Sequence, residues 1–275
     1  MLDELLRHGG GVFFAATYGS LLIVAVAERA LERRRPVHSA VRRWSSNFAL
    51  GFVDRSLVRG LLPLGAISLA LWSTNQQLGL LHALPLSPLP ALLITVGLLD
   101  LAAYAVHRLE HAVPLLWRLH RVHHADLELD FSTAERHHPL SAIFTNGVQL
   151  LVVAAIGASP AGVVGYFLMR GPIDAFSHGN LRIPQRIDRG LRWLLITPGM
   201  HAVHHSAARE ETDTNFGELF SLWDHLFGSY QEAPVRGYQQ MRIGLEDFRS
   251  PRDLDVDRLL LQPFRNERRS VPALA

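Results

Sequence analysis

Four apolar runs divide the chain. Gly11–Ala27 carries no charge, Leu57–Trp72 is interrupted only by Arg59, Pro90–Val106 holds the single acid Asp100, and Ala142–Met169 is long and uncharged. A bilayer-spanning helix needs roughly twenty residues, so the first three runs predict membrane helices. The fourth carries Gly157, Ser159 and Pro160 near its middle. Proline ends a helix cheaply only where the freed carbonyls find partners, so this run predicts two helices folded into a hairpin. Polar punctuation gives the orientation. Arg29, Arg33, Arg34, Arg35, Arg42, Arg43 and Arg55 lie between the first two runs, whereas residues 73–89 contain no charge. Arginine-rich loops stay in the cytoplasm, which predicts an outside N-terminus and a third span re-entering the cytoplasm at His107. A hairpin at 142–169 then returns His178 and everything after it to that same side. A signal peptide is the competing reading of residues 1–27, but Asp3 and Glu4 precede the apolar run and no small-residue cleavage pattern follows it. A retained helix is the expectation.

The histidines change the picture from a membrane protein to a metalloprotein. Most of the fifteen fall in three clusters, reading H-R-L-E-H (His107, His111), H-R-V-H-H (His120, His123, His124) and H-A-V-H-H (His201, His204, His205). Residues three or four apart share one face of a helix, so each cluster aims several imidazoles in one direction. Imidazole suits iron, zinc, copper and nickel. Eight clustered ligands exceed what one ion takes, which predicts two metals. The isolated His8, His38, His82 and His225 receive no role, and His138 of the His137-His138-Pro139 turn is weighed as a site member against a purely structural residue.

Composition narrows the chemistry further. The chain has no cysteine, which excludes disulfides, iron–sulfur clusters and thiolate-bound metals. Every basic residue is arginine, read as the mark of a GC-rich, bacterial genome and hence of a bacterial inner membrane. Hydrophobic residues make up 48%, high for a soluble domain. No phosphate-binding loop or dinucleotide fingerprint occurs. The arginine runs lack interleaved aromatics, so a nucleic-acid partner is not expected.

Asp100, Tyr104, His107 and His111 fall on one helical stripe running from the third span into the cytoplasm. Asp100 and Tyr104 are expected to hydrogen-bond ligand imidazoles and fix their tautomers. Glu110 is expected to face away around the helix. His178, in A-F-S-H-G-N just after the hairpin, is a candidate ninth ligand, with Asn180 beside it as a supporting residue.

These motifs resemble the fatty acid hydroxylase/sterol desaturase superfamily of histidine-rich, integral-membrane di-iron oxygenases. The family's H-x(3–4)-H, H-x(2–3)-H-H and later H-x(2–3)-H-H boxes match the three clusters in order and type. The flanks D-x-x-x-Y-x-x-H-R, S-T-A-E-R-H-H-P, H-G-N-L-R-I-P and N-F-G-E-L-F-S-L-W-D-H-L-F-G-S-Y match as well. The likeness covers roughly residues 41–230, between an N-terminal helix and Arg-rich loop at 1–40 and an expected cytosolic tail at 231–275. Two departures stand out: Ser141, where many relatives carry an acid, and Asp174, where some hydroxylases carry a further histidine. The resemblance implies an all-α membrane fold of about four spanning or hairpin helices with a cytosolic helical cap. It also implies two iron ions, O₂ as co-substrate, a lipid substrate, and a separate ferredoxin or cytochrome b5-type electron donor. The implied reaction is hydroxylation or desaturation of an unactivated C–H bond.

Two other readings stay open at this point. A zinc-dependent membrane hydrolase would need an open metal position and a general base, and no H-E-x-x-H occurs. A non-enzymatic metal-binding or transport protein would place ionisable groups within its spans, where the chain offers only Asp100. Sterols, acyl chains, ceramides, carotenoids and ether lipids all fit the boxes equally.

Overall fold

A computed structural model describes residues 2–62 and 65–266, with side chains from residue 11 onward. In chain order the helices are α1 (Leu2–Leu31), α2 (Ala40–Leu61), α3 (Gly65–Asn75), α4 (Pro88–Ala112), α5 (Pro114–His124), α6 (Pro139–Ile156) and α7 (Pro160–His178). Five shorter ones follow: α8 (Gln185–Leu191), α9 (Pro198–His204), α10 (Arg209–Thr212), α11 (Leu222–Phe227) and α12 (Val256–Leu261). Only isolated bridges, and no strand, occur among the described residues. The all-helical expectation holds. Four stretches are long and apolar enough to cross a bilayer: Gly11–Leu31, Ala40–Ala83, Pro88–Ala112 and Pro139–Ile156.

The second span differs from its expected form. Leu57–Trp72 was expected as one helix, but α2 ends at Leu61 and Leu62 leaves helical geometry, with φ −121° and ψ 61°. Proline disfavours helical backbone in the residue before it, and Leu62 precedes Pro63. The hairpin expectation fares better. Gly157 takes the left-handed conformation that glycine adopts without penalty, with φ 61°, and Ser159 caps α7. A side chain at Gly157 would collide with the Leu78 carbonyl and with Gly79, which approach its Cα side closely. The hairpin turn therefore reaches the uncharged loop at the far end of α4, and α6 and α7 both run the depth of the bundle.

α4 is the central element. α7 packs between it and α1, while α6 packs against α2, α3 and α4. Val96 and Leu99 of α4 meet Val153, Val163 and Tyr166 in the apolar half of the core. Outward-facing Phe14, Leu22, Ile23, Val26, Leu93 and Leu151 stay exposed. Such apolar exteriors on long helices mark a lipid-facing surface rather than an aqueous one.

The other half of the core is polar. Arg43 of α2 is fully buried and donates to Asp126 (2.6 and 3.0 Å) and Asp130 (2.7 Å). Asn47 donates to Asp126 and accepts from Arg136, itself fully buried, at 2.8 Å. Burial alone would raise the Asp126 carboxyl, but Arg43 and Arg136 hold it far below the usual carboxylate range. This network pins the turn after α5 to α2. The segment expected to be a cytosolic appendage also packs inward. Leu259 is buried against Leu50 and Val122, and Met241 and Ile243 cover Ala202.

Replacing Asp126 by alanine leaves buried Arg43 with Asp130 as its one remaining carboxylate and removes the acid that offsets the charge of buried Arg136. The expected loss is about 3–5 kcal/mol of stability, read as a lowered melting temperature of the detergent-solubilised protein.

Candidate metal centre

Nine histidines converge where the C-terminal ends of α4, α5, α7 and α9 meet. They sort into two groups, His107, His111, His120, His124 and His204, and His123, His178, His201 and His205, each with ligand nitrogens within 4.8 Å of one another. The division follows from helix geometry. His120 and His124, or His201 and His205, are four apart and share a face, whereas adjacent residues point about 100° apart. The His-His pair closing each H-x-x-H-H cluster must therefore serve different groups. His124 and His205 stack face to face at 4.6 Å, forming the shared wall.

The tips of the rings meet. His120 Nε2 lies 3.1 Å from that of His107 and 3.2 Å from that of His124. In the second group the Nε2 separations are 3.1 Å for His123–His178, 2.9 Å for His178–His201 and 3.1 Å for His201–His205. His111 Nε2 and His204 Nε2 are buried without any partner. Buried nitrogens left unsatisfied or facing one another are costly, and a cation at each focus satisfies them together. All nine residues are at most 5% exposed. Burial first, and then the neighbouring imidazoles, hold His120, His123, His124, His201, His204 and His205 well below the usual histidine range. Neutral imidazole is the form that binds metal.

Seven of the nine outer nitrogens have a partner, and this fixes which nitrogen of those rings faces inward. His107 Nδ1 donates to the Phe216 carbonyl at 2.9 Å, His123 Nδ1 to the Arg136 carbonyl at 3.2 Å and His204 Nδ1 to the Thr214 carbonyl at 2.7 Å. Thr212 gives its own hydrogen to the His204 carbonyl, so its oxygen accepts from His124 Nδ1 at 3.3 Å. Carboxylates hold three more, while His201 Nδ1 is buried without a partner. Asp213 meets His111 at 3.1 Å, Glu110 meets His120 at 3.2 Å, and Asp174 meets His178 at 3.1 Å.

Several expected supporting roles are different in detail. Asp100 touches no imidazole. It accepts from the backbone of Leu219 and Phe220 (both 3.1 Å) and from the Trp223 indole (2.8 Å). Asp224 accepts from the backbone of Phe216 and Gly217. The two acids thus fold the 216–224 segment so that the Phe216 carbonyl reaches His107, an indirect form of the expected task. Tyr104 bonds Ser229 at 2.8 Å, not a histidine. Asn180 exchanges hydrogen bonds with the backbone of Arg34.

His138 caps α6 and contacts the Leu260 carbonyl, so it belongs to the turn and not to either group. Its neighbour His137 instead stacks on His123, ring centroids 4.6 Å apart. Glu110 was expected to face away, yet it is 5% exposed and bridges His120 and Ser141. Its place three residues after His107 was the available signal, since such pairs share a face. Asp213 and Thr212 carried no comparable signal, because they reach the histidines only through the tertiary fold.

The profile of the fatty acid hydroxylase family matches residues 92–229, which contain all nine histidines. An ornithine lipid hydroxylase of Rhizobium tropici is 31% identical over 147 residues, covering 51% of this chain and 42% of that protein. The human alkylglycerol monooxygenase is 28% identical over 132 residues, 48% of this chain and 28% of its own length. The human cholesterol 25-hydroxylase is 24% identical, with 70% of each chain covered. The chain thus spans less than half the length of the first two relatives. No solved structure matches it.

Asp213→Ala is expected to weaken metal at the first group by about 10–100-fold while sparing the second. Asp174→Ala is expected to do the reverse. Metal retained after a graded chelator challenge, counted per chain, measures both.

Proposed function

The chain belongs to the fatty acid hydroxylase family, and from that premise we propose that it is an O₂-dependent, di-iron membrane oxygenase that hydroxylates a C–H bond of a lipid. One observation carries the reading: nine buried imidazoles converge on two adjacent foci, while carbonyls, carboxylates and a threonine hydroxyl hold the outer nitrogens of seven of them. Donors made only of imidazole suit iron without an electron-rich thiolate. His107, His111, His120, His124 and His204 would hold one ion, and His123, His178, His201 and His205 the other. The smaller set leaves room for a non-protein ligand. Bound iron would supply the redox capacity to activate O₂, which an ion such as zinc does not offer.

The protein's own groups then have defined tasks. The histidine layer excludes bulk water, since its rings are almost wholly buried. Asp213, Glu110, Asp174 and the Phe216 carbonyl keep His111, His120, His178 and His107 each in one tautomer and orientation. One oxygen atom enters the product and the other leaves as water, so two electrons and two protons must be delivered per turnover. A separate ferredoxin or cytochrome b5-type protein is the proposed source. The arginine-rich connection between α1 and α2 lies at the same end of the bundle as the histidines, as the hydrogen bonds from Arg33 to Leu181 and from Arg34 to Met241 attest. That shared end supports a cytoplasmic site on an integral membrane protein.

Protein purified anaerobically with iron is expected to hold about two irons per chain. His204→Ala should lose the ion of the first group and His201→Ala that of the second. With labelled O₂, a reductant and a lipid extract, the wild type should place one labelled oxygen in a lipid and both variants should not. Stoichiometric zinc with no iron, and no label in any lipid, would refute the reading.

A further inference from the structure

Two short segments turn their apolar side chains outward and their polar ones inward. In α11, Leu222, Leu226 and Phe227 are exposed, whereas Asp224 is fully buried and accepts from the backbone of Phe216 and Gly217. His225 of the same helix turns back to the Arg192 carbonyl at 3.0 Å. The stretch after α8 repeats the inversion. Arg192 is buried and paired with Asp188, while Trp193 and Leu194 beside it are 74% and 57% exposed. The Trp193 and His225 rings stack at 5.2 Å, and the Ser221 N–H donates to the Leu194 carbonyl, so the two segments form one face. A helix bordering water shows the opposite order, and a contiguous apolar patch marks a surface that something covers.

The position of this face says what covers it. Leu219 packs in one cluster with Val96 and Leu99 of α4 and Tyr166 of α7, and Leu195 and Phe220 lie against that cluster. The Trp223 indole donates to Asp100 at 2.8 Å, and Phe227 stacks on Tyr104 at 5.5 Å. At 1.5 Å per residue, Asp100 and Tyr104 stand about 18 and 24 Å along α4 from Pro88. Both depths fall inside the roughly 30 Å apolar core of a bilayer, and α4 is itself a candidate span. α11 therefore lies beside the membrane half of α4. Leu93, seven residues before Asp100 and so on the same side of α4, is exposed, as is Ile94. The α11 face continues that lipid-facing surface.

We propose that the chain returns to the bilayer on either side of its last histidine cluster. Trp193, Leu194, Leu222, Leu226 and Phe227 sit among acyl chains just below the headgroups, as a contact surface separate from the long helices. Tryptophan favours that interfacial zone, and short apolar faces enter it to a depth of about 5–10 Å. Polar groups in these segments are satisfied internally, which a lipid contact requires. The same segment carries the Phe216 carbonyl that holds His107, so the contact sets the depth of the first histidine group relative to the lipid. The proposal goes beyond the hydroxylase reading and does not rest on it.

The chain has no cysteine, so a single introduced thiol can be labelled without background. Full-length Leu226→Cys, Leu194→Cys and Glu246→Cys, each carrying bimane, are reconstituted into phosphatidylcholine vesicles. Glu246 is exposed on the C-terminal segment, three residues after Ile243, and serves as the comparison. Lipid with a doxyl group high on its acyl chain is expected to remove most of the emission at positions 226 and 194. Aqueous iodide should quench those labels little and the Glu246 label strongly. A second arm needs no label: brominated lipid should quench the wild type by a larger fraction than Trp193→Phe.

Labels at 226 and 194 that doxyl lipid quenches no more than the Glu246 label would overturn the proposal. Iodide then says what replaces it. Labels that iodide reaches border water, and labels shielded from both quenchers are covered by a second copy or another protein. Equal fractional quenching of the wild type and Trp193→Phe overturns it as well. The substituted positions are exposed, so the variants are expected to fold, and an unchanged melting temperature verifies this. Neither readout needs metal or turnover. Failure of the hydroxylase reading therefore leaves the bilayer contact standing, and failure of the contact leaves that reading untouched.

Discussion

Nine imidazoles packed rim to rim are stable together only if each keeps a single ring proton and a cation supplies the charge that their free lone pairs attract. Burial removes the water that would solvate an imidazolium, and each ring disfavours protonation of the next. The result is a block of inward-facing lone pairs whose mutual repulsion a cation at each of two foci would relieve. Much of the remaining architecture serves to hold that block together before any ion arrives. The Arg43–Asp126–Arg136 network fixes the turn whose carbonyl reaches His123, and the two buried acids Asp100 and Asp224 shape the segment whose carbonyl reaches His107. Neither network touches a focus, yet each sets the direction of a ring.

The interleaving of the clusters has a structural consequence. Because each H-x-x-H-H motif contributes to both groups, α5 and α9 cannot move apart without opening both foci at once. A shift of α5 alone would pull His120 and His124 from one group and His123 from the other. The two groups are therefore mechanically one unit, with His124 and His205 stacked between them. Carboxylates stand outside it on several sides, with Asp213, Glu110 and Asp174 against ring nitrogens and Glu218 paired to Arg170 near His107. Their negative charge partly offsets that of the ions the rings attract.

The membrane half and the polar half divide the labour. Long apolar helices fix the bundle in a lipid environment, and α7 runs back from the turn at the far end to deliver His178 to the histidine layer. The C-terminal segment then closes that layer from outside, where Leu259 seals against Val122 and the Arg121 guanidinium bonds the Gln262 and Arg265 carbonyls. The groove between α1 and α2 is the place where the two halves meet on the bilayer side, with an apolar wall on one part and arginines interleaved with carboxylates on the other.

The sequence by itself determined the helical class, the apolar runs, the hairpin break at Gly157–Pro160 and the convergence of nine histidines. Each of these rests on local chemistry: helix periodicity, apolar length and the intolerance of a helix interior for proline. Hydropathy alone missed the end of α2, which the local Leu62-Pro63 step sets, and the sequence could not show that residues after Phe248 pack inward, because that depends on contacts far along the chain. The same limit governs the supporting residues. Asp100 and Tyr104 lie on the ligand stripe but satisfy other partners. Glu110, Asp213 and Thr212 hold imidazoles brought from distant segments. Helical spacing says which side chains share a face, and only the packing of that face against other segments decides which partner each side chain meets.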